Sequence, residues 1–158
     1  MTRDLSYLGL ADTIRSKSLD PNTQIGAVIV DQNDVVLTTG YNRFPRGIQD
    51  TPERWDRPLK YQYVVHAEHN AILTAAWAGI PLEGTKIYIV GMGPPTVPCV
   101  SCAKAIIQAG IRTVIGSGYK PATDGWDDIL KQAADLLSEA GIEFIEVPYS
   151  DVQAERGD

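Results

Sequence analysis

Cysteine and histidine are both scarce in this chain, with two of each. A disulfide-stapled secreted domain carries more cysteine than that, so the pair reads as reduced thiols in a reducing, cytoplasmic compartment. Cations are also in short supply. Lys and Arg number 14 against 20 Asp and Glu, a formal charge of −6. A chain of that sign repels a phosphate polymer unless its few cations are gathered in one place, which argues against long DNA or RNA as a partner. A small anionic ligand needs only a few local cations and stays open. No run approaches the roughly 18 apolar residues of a membrane span. The opening Met-Thr-Arg-Asp leads into no apolar stretch of the signal-peptide kind. The expectation is a soluble protein with no membrane partner.

What is present is enough apolar material for a real core. At 158 residues and 44% apolar, one domain over 1–158 is expected without metal or disulfide support for its folding. Leu5, Leu8 and Ile14 fall near one helical face, so residues 4–18 read as an opening helix. Residues 24–30 read as a buried strand, 31–34 as a hairpin turn and 35–39 as the returning strand. Residues 40–65, rich in Pro, Arg and aromatics, form a long connection of the kind that is usually functional. A helix over 66–78, closed by Gly79 and Pro81, follows. Then come a strand over 86–90, a Gly/Pro loop over 91–97, and a helix from Pro98 to a stop at Gly110. A strand at 112–115, a helix at 126–140 and a strand at 142–147 complete the pattern, and 148–158 reads as a flexible polar tail. The alternation predicts an α/β fold, a three-layer α/β/α sandwich around a five-stranded mixed sheet.

The chemistry is concentrated in His66-Ala67-Glu68 and Pro98-Cys99-Val100-Ser101-Cys102. Cys99 and Cys102 share a face if they lie on a helix. At a helix N-terminus the free N–H groups and the dipole favour thiolates. Two thiolates and one imidazole suit zinc, and three protein ligands leave a fourth position for water, the mark of a catalytic rather than a structural site. Glu68 cannot easily join His66 as a ligand on a regular helix, but it can approach that fourth position and move protons. Taken singly, each piece has a plainer reading: a redox pair, an idle buried Cys pair, a capping histidine. Taken together, His-x-Glu opening one helix and Pro-Cys-x-x-Cys opening the next match the signature of zinc-dependent base deaminases.

The wider sequence resembles the deoxycytidylate (dCMP) deaminase family of the cytidine-deaminase-like superfamily. The resemblance runs from about Ser16 to about Val147. It is carried by the Ser18–Val30 stretch, Gly40-Tyr41-Asn42-Arg43-Phe44-Pro45-Arg46-Gly47, Tyr61–Ile72, and Pro98 to Ile111. It implies a cytidine-deaminase-like sheet, deamination of dCMP to dUMP, one zinc per chain and a homo-oligomer. It also implies roles for individual positions. Asn42 would hydrogen-bond the substrate sugar or its neighbourhood, the Ala67 N–H would hold the pyrimidine oxygen, and the Val97 carbonyl would accept from the amine. Arg43 and Arg46, the cations nearest Asn42 in sequence, are candidates for the phosphate or ordinary solvated arginines.

Three places depart from the family pattern. Arg43 stands where glycine is common, and His69 where an apolar residue is common. The link Gly91–Val97 is longer than usual and should border the amine pocket, so it bears on the choice of base and phosphate. Competing readings are a deaminase of another nucleoside, free base or modified or triphosphate cytosine nucleotide, a tRNA adenosine deaminase, a structural zinc module and a C-x-x-C oxidoreductase. The acidic balance and the insert before His66 weigh against the tRNA enzyme. No further Cys exists to close a structural zinc site.

Overall fold

The computed structural model describes residues 2–123 and 125–157. Its strands are Gly26–Val30 (β1), Val36–Tyr41 (β2), Lys86–Met92 (β3), Thr113–Lys120 (β4) and Glu143–Glu146 (β5). Its helices are Thr2–Arg15 (α1), Lys60–Tyr63 (α2), Ala67–Ala78 (α3), Val100–Ala109 (α4), Asp127–Glu139 (α5) and Tyr149–Arg156 (α6). All of β1 and the span 87–91 of β3 are buried, the continuous apolar pattern of strands covered on both faces. The sheet order is β2-β1-β3-β4-β5. β1 pairs antiparallel with β2 and β3, while β3, β4 and β5 run parallel. This is the expected mixed five-stranded sheet.

Period-2 alternation divides the core into two layers. Ala27, Ile29, Ile87, Ile89 and Val114 pack under α3, α4 and α5. Val28, Val30, Tyr88, Val90 and Ile115 pack under α1 and α6. Each fully buried Ile or Val contributes about 1.5–3 kcal/mol to folding, so the two layers are the main source of stability. The hairpin turn forms because the Asp31 carboxylate accepts from the N–H groups of Asn33 and Val35 at 2.8 and 3.0 Å, the turn-making habit of aspartate. At Gly40 the start of α3 lies flush on β2. A Cβ there would come within 2.6 Å of the Ala71 nitrogen, so the glycine sets where α3 begins.

Three elements differ from the sequence expectation. The connection 40–65 is not bare loop. It holds a 3₁₀ turn at Pro52–Trp55 and the short α2, anchored where Phe44 stacks on Trp55 at 4.2 Å and tilts against Tyr63 at 5.5 Å. Strand β4 runs on to Lys120, well past the expected end at 115. Gly116 and Gly118 weaken the local strand signal, and pairing with β3 continues through them. The flexible tail expected from 148 is instead α6, whose Val152 is fully buried. Asp158 lies outside the described residues. The buried Asp12 carboxylate of α1 ties α6 down, accepting from Arg15, Tyr149 and Arg156. Among the described residues, no helix is long and apolar enough to cross a membrane.

Candidate active site

The N-termini of α3 and α4 converge over one end of the sheet. His66 caps α3 and Cys99 caps α4, both with extended backbone, and Cys102 lies in the first turn of α4. The two helices end at Gly79 and Gly110, each at positive φ where glycine is free of strain. His66 Nδ1 lies 3.3 Å from Cys99 Sγ and 3.4 Å from Cys102 Sγ. The three donor atoms all fall within 4.8 Å of one another. A tetrahedral zinc with bonds of about 2.0–2.3 Å holds its ligand atoms about 3.5–3.8 Å apart, so the cluster is close to that size.

Electrostatics favour a cation at this point. The Cys99 thiol is drawn down to about 4, first by a hydrogen bond from Cys102, with His66 and the Cys102 backbone N–H adding to it against burial. The Cys102 thiol is pushed up by sharing its proton with Cys99 and by burial. The His66 imidazole is raised, first by its bond to Cys99. Soft sulfur and imidazole donors without an acidic oxygen among them suit zinc better than a hard cation. His69, the other histidine, is partly buried with its Nδ1 3.8 Å from Cys102 Sγ, and it stands outside the three-donor cluster.

Glu68 follows in the first turn of α3, only 5% exposed. The Cys102 thiol points at its Oε2 from 3.7 Å, and burial pushes its carboxyl above the usual range. His66, Glu68 and Cys99 form the floor of a cleft that opens to solvent. Val97, Met92 and Thr96, Trp126 and Leu130, and the buried Lys60 also line it, with the exposed Arg57 and Tyr61 at its rim. Ala67 is fully buried at the start of α3, beside the floor residues in sequence and not among the residues lining the cleft.

Asn42 also lines the cleft, with its amide engaged on the protein. Its Oδ1 accepts the Ile25 N–H at 2.8 Å, and its Nδ2 donates to the Thr23 carbonyl at 2.8 Å and to Asp20 at 3.4 Å. Asp20 in turn holds the buried Lys60 ammonium at 2.8 Å. That network anchors α2, and so the rim, to the segment before β1.

Arg43 and Arg46 do not enter this cleft. Both line a separate groove with Tyr41, Asn70 and Thr74. Arg43 donates to the Phe44 carbonyl and the Tyr41 hydroxyl, each at 3.3 Å, and Arg46 lies 4.2 Å over the Trp77 ring. Proximity in sequence to Asn42 does not bring them to its cleft, because Asn42 is buried while Arg43 and Arg46 are exposed. The cation that sequence reasoning missed at the rim is Arg57, an exposed side chain with no acidic partner among the described residues. Its only signal was its place near Lys60 in the same connection. Trp126 carried a signal too, as an aromatic side chain opening a helix whose next residues are acidic.

Known proteins are similar to this chain. The family model for the cytidine and deoxycytidylate deaminase zinc-binding region matches residues 1–117, a span that includes His66, Glu68, Cys99 and Cys102. An uncharacterized deaminase of the luxG 3' region of Aliivibrio fischeri is 35% identical over 147 residues, covering 90% of this chain and 91% of that relative. A probable deoxycytidylate deaminase of Drosophila melanogaster is 43% identical over 139 residues, 81% of this chain, which spans 64% of that relative's length. The crystal structure of apo dCMP deaminase from cyanophage S-TIM5 matches with a TM-score of 0.69 at 25% identity, covering 91% of this chain and 96% of that one. With the sheet order, the converging helix caps and the His/Cys/Cys cluster already in place, the match leaves one family assignment: the chain belongs to the cytidine and deoxycytidylate deaminase zinc-binding family.

Proposed function

We propose that the chain hydrolyses dCMP to dUMP and ammonia as a single-domain, zinc-dependent enzyme. The observation that carries this is the convergence of His66, Cys99 and Cys102, with Glu68 beside them, at a cleft that His66, Cys99 and Glu68 line together with Arg57 and Lys60. His66 Nδ1 and the two sulfurs are the ligands for one zinc. When bound there, zinc supplies a Lewis acid that brings the pKa of water toward neutrality. Glu68 takes a proton from the attacking water and delivers protons to the ring nitrogen and the departing amine. A C4–O bond forms, the C4–N bond breaks, and ammonia leaves.

The remaining roles belong to groups around the base. The Ala67 N–H holds the pyrimidine oxygen, and the Val97 carbonyl accepts from the amine. Asn42 acts on the substrate's neighbourhood by keeping Thr23, Ile25 and Asp20 in place. The 5′-phosphate meets the rim. Lys60 is already neutralised by Asp20, so Arg57 supplies the charge. The two unpaired cysteines need a reducing compartment, which supports a cytoplasmic setting. Trp77 at 75% and Leu73 at 54% exposure on α3 support self-association into a homo-oligomer.

The test is a substrate panel. Purified protein is incubated with cytosine, adenine and guanine compounds at base, nucleoside, mono- and triphosphate level, and deaminated product is read by mass. dCMP should be turned over at least about tenfold better than deoxycytidine, the low end of one charge-assisted phosphate contact. Equal rates on the two, or turnover of free bases alone, would move the assignment to a nucleoside or nucleobase deaminase.

A further inference from the structure

The segment 93–97, between β3 and the cap of α4, is latched from across the sheet by a single carboxylate. Glu146 is the last residue of β5. Its Oε2 accepts the Thr96 backbone N–H at 2.8 Å and its Oε1 accepts the Thr96 hydroxyl at 3.1 Å. Holding one residue by both its backbone and its side chain fixes the position and the rotation of that residue together. Beneath the segment, β4 carries glycines. A Cβ at Gly116 would stand 2.6 Å from the Thr96 carbonyl oxygen, and one at Gly118 would stand 2.6 Å from the Gly93 Cα. The Gly93 N–H donates to the Lys120 carbonyl at 2.8 Å, extending the β3–β4 pairing into the segment. The segment therefore lies in a groove made by missing side chains, closed from the β5 side by Glu146. Thr96 is 3% exposed, and Thr96 and Val97 are both wall residues of the cleft, while Glu146 is not.

We propose that Glu146 is a positioning residue for the reaction, setting the Thr96–Val97 wall against the substrate base through its hold on Thr96. This rests on the reading of the cleft as the substrate site. Burial of the Glu146 carboxyl opposes its ionisation and the two Thr96 donors favour it. The groove and the paired hydrogen bonds are the geometric basis. Glycine at 116 and 118 and a long acid at 146 form one device, since any of the three replaced by an ordinary residue moves the same wall.

The test compares wild type with Glu146→Ala and Glu146→Gln on amide hydrogen exchange of Gly93, Thr96 and Val97, the residues of this proline-rich segment that carry an N–H, on zinc content, and on kcat and KM for dCMP. Glu146→Ala should keep its zinc, exchange faster at Thr96 and Val97, and lose about tenfold or more in kcat/KM, carried mainly by kcat because the base is misaimed rather than released. Glu146→Gln should restore both readouts, since its amide oxygen accepts from the N–H and its NH₂ donates to the Thr96 hydroxyl. Unchanged exchange in Glu146→Ala overturns the latch, and faster exchange with unchanged kcat overturns the positioning role. If Glu146→Ala does not fold, Thr96→Val takes its place under the same criteria, because it removes only the hydroxyl bond. If the wild type itself fails to turn over dCMP, the substrate reading has failed, and the latch stands or falls on exchange alone.

Discussion

Glu68 and the three donor residues lie together at the starts of α3 and α4, yet they can be separated by substitution. Glu68→Gln keeps the side chain's size and removes its basicity. It should retain zinc and the fold while kcat falls about 10²-fold or more, the scale of general acid–base catalysis. Metal analysis beside steady-state kinetics checks this, and a near-normal rate would hand the proton transfer to another group. The rim makes a second residue-scale prediction. A charge-assisted arginine–phosphate bond is worth roughly 1.5–3 kcal/mol, or about ten- to over one-hundredfold in kcat/KM. Arg57→Ala should shrink the preference for dCMP over deoxycytidine by about tenfold or more. Arg46→Ala, whose guanidinium lies over Trp77 in the other groove, should leave that ratio alone. The opposite pattern would return the phosphate to the Arg43–Arg46 groove.

At the scale of elements, the helices divide the labour. α3 and α4 present their N-termini to the site, where the free N–H groups and the dipole favour thiolates. α1 and α6 cover the opposite face and touch none of that chemistry. Asp12 is their joint. Its side chain is 5% exposed beside Arg15 at 18% and Arg156 at 34%. Removing a buried partner leaves cations without compensation, and their partial exposure softens the loss. Asp12→Ala should cost about 2–3 kcal/mol of stability, read as a lower denaturant midpoint, with zinc content unchanged. An unaltered midpoint would mean that α6 is held by Val152 and its apolar neighbours alone.

For the whole molecule, a zinc held as proposed by His66, Cys99 and Cys102 would join the two helix caps and so link ligand binding to stability. A ligand that binds only the folded state raises stability with its concentration. Stripping zinc with a chelator should abolish turnover, lower the Tm, and turn both cysteines from protected to titratable thiols. Restoring zinc should reverse all three. Full thiol reactivity before the chelator is added would rule out Cys99 and Cys102 as ligands.

Much of this was legible in the amino-acid order because it is written in local rhythm. Alternation and 3.6-residue spacing marked the helices and strands of the sandwich, and the glycine stops marked the ends of α3 and α4. The candidate site residues were legible for the same reason: His66 and Glu68 are near neighbours, as are Cys99 and Cys102, and each pair sits at a helix start. What the sequence determined by itself was thus the layered α/β/α class and the pairing of His-x-Glu with Cys-x-x-Cys. Tertiary structure alone decided whatever depends on the facing of distant segments. It turned Asn42 inward and Arg43 and Arg46 outward, brought Arg57 to the rim, carried β4 through its glycines by pairing with β3, and bound the last helix to Asp12. It also set Glu146 against Thr96, fifty residues apart in sequence. The physical reason is range: propensity and periodicity act within a few turns of chain, whereas a cleft is made where separate elements meet, and no local pattern records which side chains will face across it.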